Sequence, residues 1–175
     1  MKDSDAVMRE QLAELLRGKS AHLSFEDAIE GMPAKMRGVR PEGVPHTVWR
    51  LVEHMRIAQW DILEFSKDGR HKSPKWPEGY WPESDAPRDA KEWSDAVKQF
   101  KADLKNMIRM VKDKNVDLLT PIPGGQGQTV FREAMLVADH NSYHIGQIVI
   151  VRRALGVWEG WRICDCRLRG GTLSR

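Results

Sequence analysis

Apolar residues recur every three or four positions along four long stretches of the chain, which is the spacing of one helix face. These stretches cover about residues 3 to 17, the segment that follows Thr47, residues 88 to 113, and Thr129 to Leu155. We therefore predict four main helices. The two central helices have the clearest inward stripes, which consist of Val48, Leu51, Val52, Met55, Gln59 and Ile62 in one and Trp93, Val97, Phe100, Leu104, Met107, Ile108 and Val111 in the other.

Residues that favour helix ends bound these segments. Gly18 follows the first helix, where a glycine suits the C-terminal cap. Thr47 is the expected N-cap of the second main helix, which should end just before Gly69. Between these two helices, Ser24 and Asp27 have the spacing of a capping box. They predict a short additional helix, which a proline then stops.

Two long stretches rich in proline are predicted to be loops, PAKMRGVRPEGVPH and RHKSPKWPEGYWPESDAPRD. The second contains Trp76, Tyr80 and Trp81, so we expect it to pack onto the protein rather than extend into solvent. No alternating pattern typical of strands lies between the helices. The pattern therefore predicts an all-α fold, a four-helix bundle with long ordered loops.

All 175 residues are expected to form a single domain, since this length allows one sizeable core. The sequence shows no internal repeat. Residues 156 to 175 form a C-terminal extension that contains Trp158 and Trp161 but has no clear period. We expect the extension to lie over the bundle surface and to fray toward its end.

The charge pattern argues against two classes of partner. Lys and Arg number 28 against 25 Asp and Glu, and the basic residues alternate with acidic ones instead of forming the basic face typical of nucleic-acid binding. No apolar run approaches the roughly 18 residues of a membrane span, and the charged N-terminal segment is unlike a secretion signal. We expect a cytoplasmic protein that binds neither nucleic acid nor membrane.

Two short motifs invite chemical interpretations that their spacing does not support. Cys164 and Cys166 are two residues apart, a poor placement for a mutual disulfide, and they lack the usual spacing of zinc ligands. Their role stays open. The segment PGGQGQT lacks the lysine and the preceding strand of a phosphate-binding loop, so we predict an ordinary loop.

The last predicted helix carries His140 and His144 one turn apart. On a helical wheel they share a face with Leu136 and Ala154, which we expect to point into the core. Buried imidazoles are costly unless they are hydrogen-bonded or coordinated, so these two are either tethered polar groups or metal ligands. Gln147 lies on the same face, where we predict a hydrogen-bonding role rather than a ligand.

A metal site would need a third ligand from another helix. His54 is the candidate, because it lies at the edge of the inward stripe of the second main helix. His22, His46 and His71 lie in or near loops and are expected to be surface residues. Three imidazoles suit zinc or nickel first, with iron, cobalt or manganese as further divalent metals, and do not suit Mg²⁺ or Ca²⁺. The residues alone leave a metal site and a hydrogen-bonded polar core as alternatives.

Taken together, these motifs resemble the DinB-like (damage-inducible, YfiT-like) superfamily. The resemblance rests on HNSYHIGQ in the final helix and on PHTVWRLVEHMRIAQWDILEF upstream, and it extends over roughly residues 20 to 156. The aromatic loop KWPEGYWP is typical of one branch. The resemblance implies a four-helix bundle with a metal held by one histidine of the second helix and an HxxxH pair of the fourth. On this chain the implied metal ligands are His54, His140 and His144.

Three protein ligands leave coordination positions free, which is typical of catalytic rather than structural metals. The resemblance implies an enzyme acting on a small molecule, either as a hydrolase or as an S-transferase or isomerase that uses a low-molecular-weight thiol. The alternative is a non-enzymatic, metal-binding bundle with a structural or stress-response role. A cleft at the metal distinguishes the enzyme from this alternative.

Two acidic residues are candidates for roles near this site. Glu133 lies two turns before His140 on the same face and is a candidate general base. Carboxylates are also favoured in the first turn of a helix by the helix dipole, so the position has a second explanation. Asp61 lies on the His54 side of its helix, where it either orients an imidazole or is a surface charge.

A homodimer is a further expectation. Trp49, Ile57 and Trp60 lie on the side of the second main helix away from its inward stripe. These apolar side chains should either form a contact between two copies of the chain or pack beneath the tryptophan-rich loop.

Overall fold

The computed structural model describes residues 3–18 and 20–158. Within these ranges the regular elements are helical, and an isolated antiparallel bridge joins Pro121 to Thr129. The prediction of an all-α fold is confirmed. Trp161, Cys164 and Cys166 lie outside the described residues. The α-helices are α1 (Ser4–Arg17), α2 (Phe25–Ile29), α3 (Val48–Lys67), α4 (Ala90–Lys112) and α5 (Val130–Ala154).

Capping residues explain why the helices begin and end close to their predicted positions. The Ser24 hydroxyl accepts from the backbone N–H of Asp27, whose carboxylate accepts from the backbone N–H of Ser24, which completes the predicted capping box of α2. Thr47 caps α3 by accepting from the backbone N–H of Arg50. Gly18 ends α1 with φ of 65°, a left-handed conformation that glycine adopts at little cost.

The four long helices form the predicted bundle. Helices α1 and α3 each pack against both α4 and α5. Along α3 the contacts pass from His54, which meets His144, to Gln59, which is hydrogen-bonded to Asn141. The residue number of the contact on α5 falls as the residue number on α3 rises, so the two helices are antiparallel. This pairing brings the single histidine of α3 beside the pair on α5. No helix in the described part of the chain is long and apolar enough to cross a bilayer.

The core consists of two apolar clusters, one toward each end of the bundle. Between them lies a polar layer in which the Gln59 amide donates to the main-chain carbonyl of Phe100 over 2.7 Å. The Asn141 amide in turn donates to the side-chain oxygen of Gln59 over 2.9 Å. Both amide side chains are buried. The layer therefore links one residue of α3 directly to one residue of α5 and to the backbone of α4.

The inward face of α5 is rotated from the predicted one. Val137, Asn141 and Ile148 are buried and lie near the centre of this face, whereas His140 is half-buried at its edge. Ala154, which we expected in the core, is exposed. The expectation assumed that the histidine pair marks the centre of the face. Instead, the histidines line the edge that contacts the loop after α3.

Of the three apolar side chains expected to support a dimer, Trp49 is buried, whereas Ile57 and Trp60 are half-buried. Trp49 is a core residue near Trp93, with 6.4 Å between ring centroids, so placing it on an exposed face was wrong. Trp60 is half-buried and meets His71 edge to face. The alternative expectation, packing against the tryptophan-rich loop, therefore holds for Trp60. The loop itself packs onto α3, as predicted.

Candidate metal centre

Three histidines from two helices meet at one point. His54 projects from α3, and His140 and His144 project from successive turns of α5. The ring centroids are separated by 4.9 Å for His54 and His140, 4.7 Å for His54 and His144, and 4.4 Å for the α5 pair. One nitrogen from each ring lies within 4.8 Å of the other two. The structure thus brings together the three residues expected to form the site.

Hydrogen bonds fix the tautomers of two of these rings. Nδ1 of His54 lies 2.8 Å from the main-chain carbonyl of Tyr80, and Nδ1 of His144 lies 2.7 Å from the side-chain oxygen of Gln147. Because a carbonyl oxygen can only accept, Nδ1 carries the proton in both rings. Nε2 then presents its lone pair, as in metal sites whose ligands are oriented by outer hydrogen bonds. The predicted hydrogen-bonding role of Gln147 is confirmed.

The spacing of the nitrogens fits a transition metal. Nε2 of His54 and Nε2 of His140 are 3.1 Å apart. Two nitrogens bound to one tetrahedral zinc at 2.0–2.1 Å lie about 3.3 Å from each other, so little movement is needed. Without an ion, His140 supplies the proton of this contact, because Nε2 of His54 has only a lone pair to offer.

Electrostatics keep the cluster neutral. Burial, together with the neighbouring His144 and His54, lowers the pKa of His140 to about 3. Burial also lowers the pKa of His54 to about 4, although the bond to Tyr80 opposes the shift. Burial lowers the pKa of His144 as well, against the effect of Gln147. At neutral pH all three imidazoles are therefore uncharged, and each ring has one nitrogen that carries a lone pair.

The tryptophan-rich loop supplies an aromatic wall to the centre. Trp81 stacks face to face on His54, with 3.9 Å between centroids and an angle of 2° between the ring planes. Trp81 also stacks on His46 at 4.2 Å. On the α5 side, the exposed ring of Tyr143 meets His144 edge-on at 5.0 Å. The cluster thus lies between aromatic rings, with half-buried His140 as its most accessible member.

Asp61 is buried, so the surface-charge interpretation is wrong. Its two oxygens accept from the Tyr80 hydroxyl over 2.6 Å and from Nε2 of His71 over 2.9 Å. It therefore orients an imidazole, as expected, but that of His71 rather than that of His54. His71 is correspondingly half-buried and not a surface residue. The link from Asp61 to the histidine cluster passes through Tyr80.

Glu133 does not reach the histidines. It is buried in the first turn of α5, where it accepts a hydrogen bond of 2.6 Å from Arg132. Two helical turns separate it from His140, or about 10 Å along the axis. Glu133 thus occupies the position at which the helix dipole favours a carboxylate, which was the second explanation of this residue. As a general base it would need an intervening group.

The remaining histidines differ in exposure. His22 is exposed and bonded to Ser142, as expected for a surface residue. His46 is half-buried against Trp81, so its expected surface position was wrong. The roles of Tyr80 and Trp81 in holding His54 were missed. The aromatic content of the loop indicated packing, but not which residue the loop packs on.

Comparison with known families gives a match over most of the chain. The family described as the DinB superfamily matches residues 21–148, a range that includes all three histidines and the loop that holds His54. A search of curated proteins finds no match.

Proposed function

The chain belongs to the DinB superfamily, and on that premise we propose that it is a metal-dependent enzyme acting on a small molecule. The reaction is either transfer to or from a low-molecular-weight thiol or hydrolysis. The observation that carries the proposal is the convergence of His54, His140 and His144 as neutral imidazoles. Three such donors, with no carboxylate among them, leave positions for a substrate atom on a divalent ion.

The three histidines would hold the ion, and their neighbours would keep them in place. Zinc or nickel fits these nitrogen donors best, with iron, cobalt or manganese as alternatives. A divalent ion held there supplies Lewis acidity, which lowers the pKa of a coordinated thiol or water. Tyr80 and Gln147 hold protons at Nδ1 of His54 and His144. These bonds prevent the two rings from turning their lone pairs away from the cluster.

Thiol transfer is favoured by the surroundings of the centre. Trp81 and Tyr143 flank the imidazoles with apolar ring surface, which suits sulfur and small organic groups. Hydrolysis would additionally need a base close to the attacking water, and Glu133 lies two turns away. We therefore place the thiol reaction first and hydrolysis second.

Cobalt-substituted protein provides the test. Small thiols should add a strong sulfur-to-metal charge-transfer band, because a free coordination position accepts the sulfur. The same titration of His144→Ala should produce no band, whereas His22→Ala, a histidine variant outside the cluster, should behave like the wild type. A wild-type spectrum that thiols, azide and pH all leave unchanged would indicate a closed structural site. The non-enzymatic alternative would then replace the enzyme.

We also propose that the protein is a cytoplasmic homodimer. Trp49 is buried and Trp60 packs on His71, so of the three apolar side chains it is half-buried Ile57 that would support a contact through α3. Light scattering at micromolar concentration should give twice the mass of one chain. A clean monomer mass would exclude the dimer.

A further inference from the structure

A cavity of about 240 Å³ lies next to the metal centre, between the start of α3, the end of α5 and the loop before α3. On α5 it is lined by Gln147 and Val151, which continue the line of His140 and His144 at steps of three or four residues. On α3 it is lined by Leu51, one turn before His54. Because α3 and α5 are antiparallel, both helices place the cavity about one turn beyond the histidines.

Two residues belong both to the cavity and to the surroundings of the metal ligands. Gln147 lines the cavity and accepts the hydrogen bond from Nδ1 of His144. His46 also lines the cavity and stacks on Trp81, the ring that stacks on His54. The cavity and the candidate metal site therefore share a wall. A molecule that has one end at the histidines needs only a short extension to reach the cavity.

The lining is largely apolar and contains no lysine, arginine, aspartate or glutamate. Leu51 and Val151 form a buried floor, and Ile150 lies at the rim, where it is 60 % exposed. The oxygen of Gln147 is already occupied by His144. The volume is below the roughly 300–1,000 Å³ of pockets for drug-sized ligands, so the cavity suits a group of only a few carbon atoms.

We infer that this cavity binds an uncharged apolar end of the substrate, a short alkyl chain or a single ring, while the substrate's head group lies at the three histidines. The inference rests on the proposed function for the position of the head group. It adds that the substrate is amphipathic and small, and that residues outside the metal site select it by size.

A homologous series of n-alkanethiols, from ethanethiol to hexanethiol, tests the inference on the cobalt-substituted protein. The charge-transfer band reports binding of the sulfur. The affinity should rise about fourfold for each methylene that enters the cavity, from the transfer free energy of a buried CH₂. The rise should stop when the cavity is full. A thiol band whose midpoint does not depend on chain length would overturn the inference and leave the proposed function intact.

Two variants of the loop before α3 give a matched comparison. Val44→Phe enlarges a half-buried residue that lines the cavity, and it should abolish the dependence on chain length. Val39→Phe makes the same change at a residue of the same loop that does not line this cavity, where Val39 is 38 % exposed. This control should retain the dependence. Equal behaviour of the two variants would contradict the assignment of the cavity.

The absence of any thiol band would be a failure of the proposed function, and the cavity can then be tested without a metal. Ligand-observed NMR with short n-alkanols should show saturable binding to the wild type and to Val39→Phe, but none to Val44→Phe. Binding that is the same in all three proteins, or absent from all three, would overturn the cavity as a binding site.

Discussion

The hydroxyl of Tyr80 donates to the Asp61 carboxylate over 2.6 Å, and the main-chain carbonyl of the same tyrosine accepts from Nδ1 of His54 over 2.8 Å. Burial and the bond to Asp61 raise the pKa of Tyr80 to about 12, so the phenol remains a donor at neutral pH. One loop residue is thus held at both ends by α3. Asp61 thereby fixes the position of the carbonyl that orients a candidate metal ligand.

Tyr80→Phe should weaken metal binding while leaving every candidate ligand in place. Loss of the bond to Asp61 frees the loop, so the carbonyl no longer holds the His54 ring in one orientation. Changes to groups that orient a ligand typically cost 10- to 100-fold in metal affinity. We expect a loss of about tenfold here, measured by competition with a chromophoric chelator.

The other tyrosine of the chain provides the control. Tyr143 also contacts a candidate ligand, His144, but its ring is exposed and belongs to α5 rather than to the loop. Tyr143→Phe should therefore bind metal like the wild type. Equal metal affinities in Tyr80→Phe and the wild type would show that the Asp61 bond serves only the stability of the loop.

Replacement of each candidate ligand by alanine should remove the bound metal without unfolding the protein. His54→Ala, His140→Ala and His144→Ala should each abolish stoichiometric metal, since two imidazoles hold a divalent ion much less tightly than three. The variants should stay helical by circular dichroism, because the two apolar clusters of the core do not depend on the site. Elemental analysis of the purified proteins gives the metal content, with His22→Ala as the control. Unchanged metal in all three variants would mean that the site is misassigned.

The metal-free protein should lose stability as the pH falls from 6.5 to about 3. In the folded state the pKa of His54 is about 4 and that of His140 about 3, whereas the ordinary value is 6.5. Over this interval the unfolded chain binds more protons than the folded protein, so the free energy of unfolding falls as the pH falls. The stabilising contribution of the two histidines is fully present above pH 6.5. Each histidine contributes a slope of at most about 1.4 kcal/mol per pH unit.

Urea unfolding at a series of pH values measures this slope. The double variant His54→Gln, His140→Gln removes two of the groups with lowered pKa values, so its unfolding midpoint should change less over the same range. Carboxylates elsewhere contribute equally to both proteins and cancel in the comparison. Identical slopes in the two proteins would mean that the histidines are not neutral in the folded state.

The helices could be predicted from sequence because their signals are local. Caps such as Thr47 and Gly18 and the apolar period of each segment depend on neighbours within a few residues. The HxxxH spacing likewise fixed two candidate ligands on one helix face. His54 was found at the edge of a stripe, where a helical wheel cannot tell a half-exposed residue from a buried one. One face of its ring is covered by Trp81, which belongs to a loop.

Contacts between distant segments could not be predicted in the same way. Arg9 is buried and donates to the main-chain carbonyls of Val111, Asp113 and Val116, so α1 closes the end of α4. In the sequence it is one charged residue of an amphipathic helix. The bond between Asn141 and Gln59 is similar, because each residue gains its partner only when α3 and α5 pack together. Sequence patterns therefore do not predict the partners of polar residues inside a core.

The Gln59–Asn141 layer should control the register of α3 against α5, and with it the meeting of His54 with the histidine pair. Asn141→Leu alone leaves the side-chain oxygen of Gln59 buried without its donor, which should cost about 1–3 kcal/mol in the free energy of unfolding. The double variant Gln59→Leu, Asn141→Leu removes the mismatch, so its loss should be smaller than the sum of the two single losses.

Measurement of the metal affinity distinguishes an effect of the layer on the alignment of the helices from an effect on stability. With two leucines the layer becomes apolar and no longer selects one alignment of the helices. We therefore expect the double variant to unfold cooperatively in urea yet to bind metal more weakly than the wild type, because His54 no longer stays opposite His140 and His144. If the double variant binds metal as tightly as the wild type, packing of the apolar clusters alone sets the register, and the buried amides contribute only to stability.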